Sequence, residues 1–458
     1  MKKQTIWPVL LVGCAVLAFN SNMPAQVGTE GAILGVAKDS SDAVIPGAEV
    51  TAVNLDTNLK RTVTTDAAGN FEILALPRGF YSLSVSLAGF KTWFLERTEL
   101  TLGERKRVSP VLEVGQISEK VTVETQVELV QTEKGSLESI VERKQILELP
   151  LNGRNPVELV RLIPGMRFLG QNGPERGIFV QGLGNRTGDG GGTEFQVDGL
   201  NSNAGMDEGG FGIPNVDTIA EFNVETADFS AEHGRNAVQV LAATKSGTNG
   251  FHGTLWEFHR NNALDAFNTF AKTPGANKPK LIRNQFGYGL GGPIVKDKTF
   301  FFTSYEGTRI REETIYNSTP VPQAFLQGDF SSLSKQIMDP MTQQPFPGNI
   351  IPQGRITNAS KFFFPYVLLP NSPDGRFRAV ASRPSDTDEF TVRIDHLLTD
   401  KQRIYGRYII NDFDAVFPQY RPDITQDNGT RQQNAGINYT YTMTPTTLFT
   451  VGANYLRS

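Results

Sequence analysis

The 458-residue sequence contains one cysteine, Cys14. No intrachain disulfide can form, and a cysteine metal site is excluded. Histidine is also scarce. His233, His252, His259 and His396 form no H-E-x-x-H pair, so a helix-borne zinc-hydrolase site is missing. Neither sign of charge dominates. Lys plus Arg is 44 against 48 Asp plus Glu, a formal net charge of -4, which excludes a broadly basic nucleic-acid binder. Long apolar runs are absent too. None reaches the ~18 residues that a transmembrane helix needs.

Glycine and aromatics are plentiful, with 45 Gly and 30 Phe, and only 20% of residues are charged. This balance fits an all-β protein better than a helical one. The chain opens with Lys2 and Lys3, followed by a mostly apolar stretch over 6–19. That is the length of a signal-peptide h-region and too short to span a bilayer. Small and polar residues lead to Met23-Pro24-Ala25, so residues 1–25 read as a signal peptide cut after Ala25. Leu11-Val12-Gly13-Cys14 has the shape of a lipoprotein box. The apolar run continues past Cys14, however, which favours an ordinary h-region residue. Export without a helical anchor leaves the periplasm, secretion or an outer-membrane β-barrel.

Residues 31–114 carry short strands with turn signals about every 8–12 residues, the pattern of a β-sandwich. Tyr81, Leu83, Val85 and Leu87 form a strict period-2 face, and Asp66-Ala67-Ala68-Gly69-Asn70 reads as a hairpin-type turn. Residues 115–248 change character. Helix-like patches at 142–149 and 156–162 are broken by Pro150 and Pro164, Gly and Asn are dense over 170–212, and 238–243 is a short strand. This is a mixed α/β segment rich in loops.

From 249 to 458 the pattern is cleaner. Seven candidate strands fall at 251–260, 283–294, 299–310, 389–398, 403–411, 433–443 and 447–457. Each has one apolar face and one polar or small face. Short links alternate with the long links 261–282, 311–388 and 412–432, as periplasmic turns alternate with extracellular loops in outer-membrane barrels. Tyr408, Tyr439, Tyr441 and Tyr455 fit interfacial aromatic girdles. Seven strands do not close a bacterial barrel, so the chain is expected to be the front of a longer protein or a truncated gene product. A soluble sheet shows the same alternation. A secreted or surface β-sandwich with an adhesive or carbohydrate-binding role therefore stays open as the rival reading.

Several ordered motifs carry a likeness. They are Val44-Ile45-Pro46-Gly47-Ala48-Glu49-Val50, Leu76-Pro77-Arg78-Gly79-Phe80-Tyr81, Leu149-Pro150-Leu151-Asn152-Gly153-Arg154-Asn155-Pro156, Val197-Asp198-Gly199, Ala231-Glu232-His233-Gly234-Arg235 and Thr244-Lys245-Ser246-Gly247-Thr248-Asn249. With them the chain resembles the Oar-like TonB-dependent outer-membrane receptors, whose N-terminus carries a carboxypeptidase-regulatory-like sandwich. The resemblance implies a signal peptide at 1–25, the sandwich at 31–114, a plug at 115–248 and a partial outer-membrane β-barrel at 249–458. It further implies a full barrel of about 22 strands, an unidentified external ligand such as a carbohydrate or peptide, and the periplasmic partner TonB with its inner-membrane energising complex. It implies contact with outer-membrane lipid, and neither catalysis, cofactor, resident metal nor nucleic acid.

Glu119-Lys120-Val121-Thr122-Val123-Glu124 is similar to a TonB box, an extended β-branched segment able to add to a partner's sheet edge. The same residues also suit the last strand of the sandwich or a linker strand. Asn152, Gly153 and Arg154 fit polar contacts between plug and barrel wall, because a buried Arg needs a carboxylate or carbonyl partner. Asp198 and Gly199 read as a turn, since Gly accepts positive φ. Trp93 and Phe94 offer a stacking platform for sugar, against core or edge packing as the plainer role.

Overall fold

The computed structural model describes residues 30–115, 120–123, 137–141, 154, 158, 163, 166–171, 178–181, 193–204, 209–210, 214–227, 238–266, 278–419, 421–445 and 447–457. Among these the chain is mainly β, with a few short helices.

The first unit has two sheets. One runs in the order Asn70–Leu76, Gly31–Val36, Arg105–Arg107. The other runs Lys120–Val123, Thr92–Leu100, Gly79–Ser86, Glu49–Asn54, Lys60–Thr64. Ile33, Phe71 and Ile73 of the first meet Val50, Tyr81, Leu83, Val85, Trp93 and Leu95 of the second in one core. Each such side chain contributes about 1.5–3 kcal/mol when fully buried. The period-2 face of Gly79–Ser86 supplies three of them, and the buried Tyr81 hydroxyl donates to the Pro77 carbonyl at 2.6 Å. At Gly35 a Cβ would stand 1.7 Å from the Val108 carbonyl, so the two strands approach closely only because no side chain is there.

The Asp66 turn departs from the hairpin expectation. Its carboxylate accepts from the amides of Ala68 and Asn70, as an Asx turn does. Yet Lys60–Thr64 and Asn70–Leu76 belong to different sheets. The turn carries the chain across the core. Lys120–Val123, from beyond residue 114, is an edge strand of the second sheet and pairs in parallel with 92–95.

The central unit is a five-stranded sheet in the order Leu137–Val141, Ile219–Ala227, Val238–Thr244, Thr193–Val197, Leu200–Asn201. Every residue of Val238–Thr244 is buried, as a strand covered on both faces requires. Phe195, Val197, Phe222, Val224, Val238 and Val240 pack together, and Ile409 from the third unit joins their cluster.

The third unit is a seven-stranded antiparallel sheet in sequence order: His252–Asn261, Leu281–Val295, Thr299–Ser318, Phe377–Thr399, Gln402–Pro418, Thr425–Thr444 and Thr447–Arg457. The seven candidate strands all appear. Several are longer than the apolar alternation marks, and the link 412–432 shrinks to 419–424. The extensions are polar and are held by cross-strand charge pairs instead, including Arg309–Asp388, Arg311–Asp386, Arg383–Glu312 and Arg431–Asp412.

Register assigns the two faces. Leu255, Tyr288, Tyr305, Phe390 and Ile410 fall in one row, and Leu290, Thr303, Val392, Tyr408 and Tyr455 in another. Tyr439 and Tyr441 share this face by the period of 2. These rows point away from the central unit, and Leu255 is 87% exposed. The alternate rows, with Ser304, Thr391, Arg393, Tyr405, Arg407 and Asn434, face the central unit and are buried. A broad exposed apolar face opposite a buried polar one inverts the soluble pattern and matches a barrel wall in lipid.

Candidate functional site

The buried polar rows of the wall hold the central sheet at two stations. The first is centred on Asp198. Val197 and Leu200 pair across a two-residue turn, and Asp198 and Gly199 have φ of 52° and 74°. Positive φ at both central residues is the geometry for which Asp-Gly is selected. The turn reading of these residues therefore holds, and the turn also aims a carboxylate at the wall. One oxygen of Asp198 accepts from the Thr244 amide and from Arg393, each at 2.8 Å. The other accepts from the Thr244 hydroxyl at 2.8 Å and from Arg407 at 2.9 Å. The Asp198 carbonyl accepts from the Tyr405 hydroxyl.

Arg393 and Arg407 stand directly opposite each other in the strand register. Like charges so placed repel. Asp198 lies against both, and Asp395 takes the rest of the Arg393 guanidinium in a fork at 2.8 Å on each side. Arg407 also donates to Asn434, whose amide reaches Ser202 of the central unit at 3.1 Å. The four charges sum to zero. Burial alone would raise the Asp198 carboxyl, but Arg393, Arg407 and the Thr244 donors outweigh it and hold it below the ordinary aspartate value.

The second station has the opposite polarity. Glu306 and Glu389 face each other in register. The Asn215 amide and side chain both donate to Glu389, at 2.8 and 2.9 Å. Asn215 also accepts from the Thr218 amide, and the Thr218 hydroxyl meets Ser304 of the wall at 2.5 Å. Glu306 accepts from the Trp256 indole at 3.2 Å. Arg154 pairs with Asp217, lies 3.9 Å from Glu306 and stacks over Phe258 at 4.1 Å. Arg154 thus bridges the central unit and the wall.

The other singled-out residues divide. Asn152 and Gly153 lie outside the described residues, as do Glu119 and Glu124. Lys120, Val121, Thr122 and Val123 form the edge strand already described. Trp93 is buried in the core of the two-sheet unit, which removes half of the stacking platform. Among the described residues no group of three or more His, Cys, Asp or Glu can hold a metal ion. The sequence reading missed the wall partners Arg393, Arg407, Glu306 and Glu389, and with them Asn215. Their signal was a charged residue at the polar phase of an alternating strand, where a lumen-facing Ser or Thr would cost less.

Two stretches of the chain match known protein families. Residues 243–458 match the family described as outer membrane beta barrel domain, and residues 32–113 match the carboxypeptidase regulatory-like domain. The TonB-dependent transporter Oar of Myxococcus xanthus is 27% identical over 365 residues, covering 74% of this chain and 32% of that protein. The chain thus carries an outer membrane beta barrel domain behind a carboxypeptidase regulatory-like domain and is similar to an Oar-like TonB-dependent transporter. Its outward apolar rows lie where an outer-membrane β-barrel carries its lipid-facing side chains. This Oar-like chain spans about a third of the length of the curated relative it matches. Among solved structures, the outer-membrane transporter YddB of Escherichia coli has a TM-score of 0.44 at 9% identity, covering 70% of this chain and 39% of that one. The ferric enterobactin receptor PfeA of Pseudomonas aeruginosa has a TM-score of 0.39 at 12% identity, covering 68% and 39%.

Proposed function

We propose that this chain is the front portion of a TonB-energised outer-membrane transporter, in which residues 115–248 are the plug of the barrel and the two stations are the seats that hold it. The observation that carries the reading is Asp198, buried between two wall arginines that would repel each other without it. A permanent core would fill such a place with apolar side chains at no loss of stability. Buried, balanced charge instead fixes one orientation, and it leaves water-compatible surfaces when the two sides part.

In this reading 119–124 is the TonB box. The two-sheet unit stands beside the short links 296–298 and 400–401, the side that faces the periplasm in outer-membrane barrels. A box on that side would be within reach of a periplasmic partner, which supports the assignment. The ligand enters from the side of the long segment 319–376, and its chemistry, carbohydrate, peptide or other, is set there.

The test is cysteine cross-linking in cells. Thr122→Cys should capture the periplasmic domain of TonB carrying a single cysteine in its terminal strand. Thr62→Cys, on a strand at the far edge of the same sheet, should not. Capture by neither, with the protein present in washed outer membranes, would sink the TonB assignment.

A further inference from the structure

The two-sheet unit touches the rest of the molecule through a seam that borders the first seat, whose Asp198, Arg393 and Asp395 line the same cavity. The loop 101–104 makes its apolar contact. Glu104 folds the loop by accepting from the Thr101 amide and hydroxyl at 2.7 and 3.0 Å. This presents Leu102 outward. Leu102 is 4% exposed, yet it has no place in the core of its own unit. It clusters instead with Leu241 and Ala243 of the central sheet. Its amide donates to both oxygens of Glu221 at 3.0 Å, and the Arg78 guanidinium lies 3.4 Å from the same carboxylate. Glu221 belongs to Ile219–Ala227, the strand next to the segment that carries Asn215 and Thr218 of the second seat.

The rim contacts are polar. Glu30 accepts from Arg403 and from Thr440 of the barrel sheet. Asn58 and Asn249 both donate to Asp297, at 2.8 and 2.7 Å, and the Asn249 amide donates to the Asp56 carbonyl. Between these points a cavity of about 220 Å³ separates the three units, bordered by Glu30, Asn54, Arg78, Lys245, Thr248 and Arg403. One apolar knob, a few polar contacts and an unfilled gap make a seam that separates without tearing a core.

We propose that the two-sheet unit is a removable stop on the plug: Leu102 and Arg78 hold the Ile219–Ala227 strand through Glu221, and the unit lifts away before the plug leaves its seats. The inference rests on the plug reading above. It also gives the edge strand 120–123 a consequence. Its ladder partner is 92–95 of the same unit. A pull on it loads the stop before it loads the plug, so lifting the stop is the first movement.

The test uses hydrogen exchange on the whole chain in lipid bilayers, with no TonB and no ligand. Leu102→Glu sets a second carboxylate against Glu221 and spares the core of the two-sheet unit. Amides of 219–227 and 238–244 should then exchange at least tenfold faster, while those of 81–85 keep their protection. Leu102→Met should leave all three segments unchanged. Fast exchange at residue 102 with no change at 219–227 would overturn the proposal. If Leu102→Glu also unfolds the unit, so that 81–85 loses protection, Glu30→Lys decides. It faces Arg403 and leaves Leu102 intact. It should speed exchange at 219–227 severalfold, and no change there overturns the proposal equally. The TonB cross-link is independent of every one of these readings, so either idea can fail alone.

Discussion

The two seats of the proposed plug answer the same problem with opposite signs. At one, Arg393 and Arg407 oppose each other in register and a plug carboxylate neutralises them. At the other, Glu306 and Glu389 oppose each other and the plug brings mainly neutral donors, those of Asn215, with Arg154 shared between Asp217 and Glu306. The first is balanced in charge. Among the described residues the second sets three carboxylates against one guanidinium. In each, a like-charged pair on the wall is tolerable only with the plug in place. In the proposed transporter the wall would thereby encode where the plug sits, with opposite polarities marking its two ends.

That comparison can be broken by single changes. Asp198→Ala should have the largest effect. It leaves two buried guanidinium groups opposed and removes the carboxylate that they share, at a cost of about 3–5 kcal/mol. The urea concentration that releases the plug in bilayers, followed by tryptophan fluorescence, should fall accordingly. Asn215→Ala should cost less, about 1–3 kcal/mol for a buried carboxylate that loses two donors. An Asn215→Ala loss as large as that of Asp198→Ala would show that charge balance does not distinguish the seats.

Acid sharpens the contrast further. The Asp198 carboxyl is held below its ordinary value, so its contribution is present above the unfolded value of about 3.9 and disappears only as pH falls through the still lower folded one. The first seat should survive mild acid. Glu221, at the seam, behaves oppositely. Burial raises its carboxyl above the ordinary value and outweighs the Leu102 amide and Arg78. Its contribution is full at acid pH and is lost as pH rises through the folded value. Docking of the two-sheet unit should therefore weaken as pH rises above the ordinary glutamate value of about 4.3, and Glu221→Gln should flatten that slope. The smallest effect belongs to Asn58→Ala at the exposed rim, about 0.5 kcal/mol or less in the same urea titration.

Much of this fold is legible in local pattern. The seven barrel strands show because lipid on one side imposes period-2 alternation, and the Gly79–Ser86 strand shows because a sandwich core does the same. Pattern fails where neither lipid nor core is present. The segments 311–318, 377–388 and 425–432 are strand without apolar alternation, since charge pairs such as Arg311–Asp386 hold them. The Asp66 turn is visible in its residues, but not the sheet that the following strand joins. Arg154 announces a need for a carboxylate partner, and one is there. Asp198 announces only a turn. Its partners lie 195 and 209 positions away, and nothing local names them.

The strand lengths also shape the approach to the pore. Phe377–Thr399 has 23 residues, against roughly 9–11 that a tilted strand needs to cross the hydrocarbon core. The outward face turns abruptly from Tyr305 and Phe390 to the Arg309–Asp388 pair. Beyond that line about half of the strand continues as a charged ribbon, at about 3.4 Å per residue. On this stretch of wall the mouth of the receptor stands above the bilayer like a chimney. In the proposed transporter, a molecule arriving from outside would meet these fixed alternating charges before the plug, at a height where lipid plays no part.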